Sequence, residues 1–263
     1  MSPPLLEVRD LALRFGGITA LSGVSFDVGA GELFALIGPN GSGKTSVFNC
    51  LNGVYRPQSG TITFDGRPLV GARPTRTAEM GIARTFQNLA LFVNLDVIDN
   101  LMLGRHHLIR TGFVTGALWL GPARREEVAH RERVEELVER LRLGPYRRQA
   151  VGTLPYGIQK RIELGRALAM EPRLLLLDEP TAGMNAQESL EMARTVLEIH
   201  DDADFAIIVV SHDVRMVMGI ADRVMALHFG VALATGSPAE IQSDERVIDS
   251  YLGRRTTTTQ KNG

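Results

Sequence analysis

The order of apolar and polar residues divides this chain of 263 residues into three stretches. In the first, Leu6–Phe15 and Leu21–Val28 show partial two-residue alternation and are broken by Gly16-Gly17 and Gly29-Ala30-Gly31, which predicts short strands. Leu33–Ile37 is an unbroken apolar run of strand length, the pattern of a strand buried on both faces. Thr61–Phe64, followed by Asp65-Gly66, predicts another strand and a turn. The middle changes period. Val97–Leu108 and Arg124–Leu143 read as helices, and Val134, Leu137, Val138 and Leu141 fall at the spacing of one helical face. The rest of that second helix is a solvated face of Arg and Glu, with Glu127/Arg131 and Glu136/Arg140 four residues apart. An apolar segment, Ile109–Gly121, separates the two helices.

The last third alternates strands with helices. Leu174–Leu177 and Phe205–Val210 are predicted strands, and Asn185–His200 and Val214–Gly219 predicted helices. Arg223–Phe229 and Val231–Gly236 form a predicted hairpin at a sheet edge, and Ser237-Pro238 starts another helix. Strands alternating with helices imply an α/β fold with a parallel sheet covered on both faces. The tail, Arg254–Gly263, with its run of threonines, is predicted to be disordered.

Composition narrows the classes. Apolar residues make up 44% and charged residues 22%, which excludes a disordered chain. A net charge of -1 argues against a general nucleic-acid binder. The single cysteine, Cys50, excludes a disulfide framework and a cysteine-only zinc site. No apolar run reaches the roughly 18 to 20 residues that span a bilayer, and the first residues lack the basic and long apolar parts of a secretory signal, so a soluble, cytoplasmic chain is expected. Among 29 basic residues only Lys44, Lys160 and Lys261 are lysines. A lysine inside so arginine-rich a chain raises the question of what arginine could not do there.

Lys44 answers it. Gly38-Pro39-Asn40-Gly41-Ser42-Gly43-Lys44-Thr45 fits the G-x-x-x-x-G-K-[ST] pattern, follows the strand Leu33–Ile37 and opens a helix over Lys44–Leu51. Glycines let successive backbone N–H groups curl around phosphate oxygens, and the helix N-terminus, with Ser46 in its first turn, adds positive potential. Lys44 would reach the β- and γ-phosphates, where a compact ammonium fits a tight loop and a planar guanidinium does not. Thr45 would hold Mg²⁺. A second motif is the apolar run Leu174–Leu177 ending in Asp178-Glu179. Carboxyl ends of parallel strands open onto the ligand crevice, so Asp178 would serve the metal and Glu179 the attacking water.

With these motifs in place the chain, over roughly Leu5–Leu252, resembles the ATP-binding subunits of ABC transporters. That resemblance implies a P-loop NTPase core with a parallel sheet, an N-terminal antiparallel β subdomain and an inserted α-helical subdomain near 88–164, all within one nucleotide-binding domain over 5–253. It implies ATP and Mg²⁺ as ligands. It also places Phe15 against adenine, Gln87 at the metal and the catalytic water, His212 at the γ-phosphate, and the loop Thr181–Asn185 at a second ATP-binding subunit docked head to tail. The signature departs from the family's Leu-Ser-Gly-Gly-Gln-Gln-Arg: here it is Leu154-Pro155-Tyr156-Gly157-Ile158-Gln159-Lys160. Pro155 brings neither hydroxyl nor N–H. Tyr156, Gly157 and Gln159 remain to face the opposite ATP, and Asn185 stands where the family usually has Asp.

An asymmetric heterodimer is therefore expected, in which the site using Lys44, Asp178 and Glu179 hydrolyses ATP if the partner supplies a full signature, and the opposite site, capped by Pro155–Gln159, binds more weakly. Within the family, Gly38–Cys50, Arg84–Asn88, Tyr156-Gly157, Arg110–Phe113 and Val247–Gly253 resemble branched-chain amino-acid uptake ATPases. This implies transmembrane permease subunits as partners, a periplasmic or extracellular binding protein acting indirectly, no nucleic acid, and a place on the inner face of the cell membrane. An ATPase for urea, amides or lipid export, a soluble non-transport ABC ATPase and a module with little hydrolysis are the alternatives. The segment Ile109–Gly121 either touches the membrane subunits or packs on its own helical lobe.

Overall fold

The computed structural model describes residues 3–85, 90–108, 122–201 and 204–252. Its strands are β1 (Leu6–Phe15), β2 (Ile18–Val28), β3 (Leu33–Ile37), β4 (Ser59–Phe64), β5 (Arg67–Pro68), β6 (Ile82–Arg84), β7 (Leu174–Asp178), β8 (Ala206–Val210), β9 (Arg223–His228) and β10 (Val231–Gly236). Its helices are α1 (Lys44–Leu51), α2 (Pro74–Glu79), α3 (Val97–Gly104), α4 (Pro122–Arg140), α5 (Tyr156–Leu168), α6 (Ala186–Asp201), α7 (Val214–Ile220), α8 (Pro238–Ser243) and α9 (Glu245–Leu252). A four-stranded antiparallel sheet runs β2-β1-β4-β5, and a six-stranded sheet runs β10-β9-β3-β8-β7-β6. In the larger sheet only β10 is antiparallel to its neighbour. The expected edge hairpin is β9-β10.

The unbroken apolar runs have the expected cause. Successive strand residues point to opposite faces, and here each face has its own core. Leu33, Ala35 and Ile37 of β3, with Leu175 and Leu177 of β7 and Ile207 and Val209 of β8, pack with helices α3 to α7. Phe34 and Leu36, with Leu174, Leu176, Ala206, Ile208 and Val210, pack instead against α1 and the antiparallel sheet. A polar residue at any of these strand positions would sit unpaired in one core or the other.

The helical part is built from α3, α4 and α5, which pack on one another. Val134, Val138 and Leu141 are buried and Leu137 half-buried, as the spacing predicts. On the solvated face, Glu136 pairs with Arg133 at 2.9 Å, and Arg140 reaches the Ile199 carbonyl at 3.5 Å. The expected limits 88–164 enclose α3 and α4, and α5 begins inside them and runs on to Leu168. Helix ends follow their capping residues: Asp96 accepts from the Asp99 N–H at 2.8 Å at the start of α3, and Ser237 and Glu240 form a capping box at the start of α8. The segment Ile109–Gly121 and the tail from Gly253 lie outside the described residues.

Candidate functional site

Parallel register assembles the site. Asp178 pairs with Val210, and Leu36 with Val210 on the other side, so β3, β7 and β8 end at one edge of the sheet. The loops leaving those ends carry Gly38–Gly43, Glu179 and His212. A cleft there is lined by Ile18, Thr19 and Ala20 of β2, by Asn40–Ser46, and by Asp178, Glu179 and Val210. Of the predicted site residues, Asn40, Gly41, Ser42, Gly43, Lys44, Thr45, Ser46, Asp178 and Glu179 come together in this cleft. Gly38 and Pro39 do not line the cleft but hold Lys44 through the backbone: both carbonyls accept from Lys44 Nζ, at 2.7 and 3.1 Å.

The loop's shape depends on glycine at its first position. Gly38 has φ +151°, and a Cβ there would stand 2.2 Å from the Leu227 carbonyl oxygen. Inside the loop, Ser42 Oγ is buried and has no hydrogen-bond partner among the described residues. Lys44 is 7% exposed, and burial pulls its ammonium below the ordinary lysine range while the charges of Glu179 and Asp178 work against that fall. An unpaired hydroxyl, a buried ammonium held only by carbonyls, and a helix N-terminus together suit a phosphate anion.

The carboxylates differ in environment. Asp178 is buried; its Oδ2 accepts from Arg84 Nη2 at 2.7 Å, and its N–H donates to Thr85 Oγ1 at 3.1 Å. Glu179 adopts φ +50° and receives both the Nδ1 of His212 at 2.7 Å and the His212 N–H at 3.2 Å. A carboxylate only accepts, so Nδ1 carries the proton. Both bonds fall on Oε2, which leaves Oε1 to meet water. Thr45 is exposed to the cleft and Asp178 lines it, a hard oxygen pair that suits Mg²⁺. No group of three or more His, Cys, Asp or Glu among the described residues could hold a metal ion.

Other predicted residues lie apart. Phe15 pairs across the β1-β2 hairpin with Ile18, which lines the cleft; its ring is 45% exposed and meets Tyr55 edge-on at 5.0 Å. Gln87 lies outside the described residues. Tyr156, Gly157 and Gln159 open α5 and do not line the cleft. Tyr156 packs on Gly183 of the loop after Glu179, and Gly157 faces Glu188, with room for a Cβ only 3.3 Å from its Oε1. Gln159 Nε2 donates to the Leu154 carbonyl at 2.8 Å, so this side chain holds its own loop. Ile158 packs on the core, and Lys160 is buried against Glu163 at 3.0 Å, so neither forms the exposed face. Asn185 caps α6: its Oδ1 accepts from the Glu188 N–H at 3.0 Å while Glu188 Oε2 accepts from the Asn185 N–H at 3.0 Å. Cys50 is buried, which pushes its thiol up to about 11 and leaves it no nucleophile.

Three further residues, which no sequence motif marks for the site, shape it. Arg84 bridges Asp178 and Asn49; the available signal was a charged residue ending a short strand, which needs a partner when buried. Thr85 supports the Asp178 backbone. Tyr251 of α9 comes beside the phosphate loop: burial pushes its hydroxyl up to about 12, against a hydrogen bond from the Gly38 backbone, with Glu179 adding to the rise. No local signal marks Tyr251.

A family profile described as ABC transporter matches residues 21–182, and one described as branched-chain amino acid ATP-binding cassette transporter matches residues 233–256. The high-affinity branched-chain amino acid transport ATP-binding protein LivG of Salmonella typhimurium is 41% identical over 253 residues, 96% of this chain and 99% of LivG. BraF of Pseudomonas aeruginosa, with the same description, is 37% identical over 96% of this chain and 99% of its own. Among solved structures, the ADP conformation of MJ1267, an ATP-binding cassette of an ABC transporter, superposes with a TM-score of 0.83 at 26% identity, covering 96% of this chain and 100% of that one.

Proposed function

The chain belongs to the ABC transporter family of ATP-binding proteins, and from that premise we propose that it binds and hydrolyses ATP to power an importer of branched-chain amino acids. The observation that carries the reading is the convergence of Lys44, Thr45, Asp178 and Glu179 in one cleft at the carboxyl edge of the sheet. The substrate class comes from the descriptions of LivG and BraF, whose full lengths this chain matches.

In this reading the Asn40–Ser46 amides wrap the phosphates, and Lys44 exchanges the Gly38 and Pro39 carbonyls for the β- and γ-phosphates. Phe15 stacks on adenine. Thr45 and Asp178, with Gln87, would hold Mg²⁺, which when bound neutralises phosphate charge. Water attacks the γ-phosphorus, the bond to the bridging oxygen breaks, and ADP carries the negative charge away. Glu179 Oε1 takes the water's proton while His212 fixes Oε2 and turns toward the γ-phosphate. Tyr156, Gly157 and Gln159 face the ATP of a second, different ATP-binding subunit docked head to tail.

No helix among the described residues is long and apolar enough to cross a membrane. Passage would belong to separate permease subunits on whose inner face this chain sits, with a binding protein delivering the solute. ATP-driven uptake of labelled leucine into vesicles carrying the whole assembly tests the reading. Uptake that Glu179→Gln abolishes supports it. Transport of urea, an amide or a lipid in its place sinks the substrate class, and Mg-ATP turnover that Glu179→Gln leaves intact sinks the mechanism.

A further inference from the structure

We propose that Arg84 is a positioning residue for the metal side of the cleft, its guanidinium fork holding Asp178 and helix α1 at a fixed separation. The proposal rests on the nucleotide-hydrolysing reading above. Arg84 ends β6, and its Nη2 and Nη1 lie 2.7 Å from Asp178 Oδ2 and 2.6 Å from Asn49 Oδ1. A planar fork can serve two acceptors at once, which a point-charge ammonium does not do with the same geometry. The guanidinium also lies 5.5 Å from the ring centre of Phe48, itself fully buried on α1. The Arg84 and Asp178 side chains are 7% and 4% exposed.

Placement decides the role. Asp178 lines the cleft and Arg84 does not, so Arg84 acts through the carboxylate and not on the nucleotide. Asn49 stands four residues beyond Thr45 on α1, on the same helical face. Fixing Asn49 therefore fixes the helix that presents the Thr45 hydroxyl. Thr85 adds a second hold on Asp178, accepting its N–H. Two consecutive residues thus set the side chain and backbone of Asp178, immediately before the segment that carries Gln87.

Two effects oppose each other. A cation beside Asp178 weakens its pull on a second cation, whereas a fixed carboxylate strengthens it. Outer partners of metal-binding side chains cost about 10- to 100-fold in metal affinity when removed, so positioning sets the sign. The test titrates Mg²⁺ into the full chain with a fluorescent ATP analogue, and repeats the binding in EDTA. Arg84→Gln is expected to raise the half-saturating Mg²⁺ about tenfold or more while leaving affinity in EDTA unchanged. Arg84→Lys is expected to recover less than half of that loss, and Asn49→Ala to shift it the same way by less. An unchanged or lower Mg²⁺ requirement in Arg84→Gln overturns the proposal. So does an equal loss in EDTA, or full rescue by lysine. If thermal unfolding shows that Arg84→Gln does not fold, Asn49→Ala decides by the same criterion. A wild-type chain that binds no analogue sinks the reading beneath the proposal instead.

Discussion

The two ends of this chain that would meet nucleotide are built on different principles. The phosphate-loop end is made of buried charge: Lys44 and Asp178 are 7% and 3% exposed and the Arg84 side chain 7%, each held by named partners, around a loop whose Ser42 hydroxyl has no partner among the described residues. The signature end is a helix start with little polar chemistry to offer. Pro155 caps α5 without a side-chain bond, Tyr156 is 41% exposed, and Gln159 is tied to Leu154. The first end is preorganised for a charged ligand, which strengthens its interactions in a low-dielectric setting. The second keeps its shape through contacts with the Gly183 loop and Glu188. Paired charge thus gathers at the phosphate-loop end and is sparse at the signature end.

Six substitutions at four positions probe that contrast. The largest effect belongs to Lys44→Ala, expected to weaken ATP binding by about 3 kcal/mol, roughly a hundredfold, because it leaves phosphate charge unpaired in a desolvated loop. Lys44→Arg is expected to do no better, since two carbonyls at 2.7 and 3.1 Å enclose the ammonium. Isothermal titration measures both, and wild-type affinity in Lys44→Arg contradicts the tight-loop argument. Next comes Gly38→Ala. With φ +151° and the Leu227 oxygen 2.2 Å from the added carbon, it is expected to cost about 3 kcal/mol of stability, read by urea unfolding. A loss under about 1 kcal/mol would show a loop softer than it looks.

The signature half should respond in the other direction. Pro155→Ser restores a hydroxyl and an N–H at a helix cap, so it is expected to stabilise α5 by about 0.5–1 kcal/mol. In the assembled pair it is also expected to tighten ATP in the opposite site about tenfold, the worth of one hydrogen bond to a charged group. Unchanged affinity in that site means the cap does not face it. The smallest effect is Asn185→Ala, which removes the Oδ1 that accepts from the Glu188 N–H, keeps the backbone N–H that donates to Glu188 Oε2, and is expected to cost about 1 kcal/mol. Asn185→Asp keeps the cap and is expected to leave stability near wild type, which a matched thermal unfolding pair checks.

Much of this was legible in the chain. Leu33–Ile37, Leu6–Phe15 and Lys44–Leu51 form the predicted elements with the predicted limits, because their signals are local: apolar runs, glycine breaks and a helix start. The phosphate loop and the paired acids were legible because they are contiguous motifs on strand ends, and register does the rest. What escaped was long-range. Arg84 reaches Asn49 across 35 positions and Asp178 across 94, and nothing near any of the three announces the pairing. Tyr251 reaches the loop from the last helix. Strand β2 begins at Ile18, three residues before the predicted start, because its exposed first residues pair with β1 without an apolar pattern to mark them.

In the proposed assembly this chain supplies the working phosphate half of a composite site. The most direct test of that role is Mg-ATP turnover by the reconstituted pair of ATP-binding subunits, with Glu179→Gln placed in this chain and the equivalent change placed in the partner. Glu179→Gln is expected to lower turnover by about 10²- to 10⁴-fold, the worth of a general base, while the partner's change leaves substantial activity. Turnover that survives Glu179→Gln and vanishes with the partner's change would contradict it.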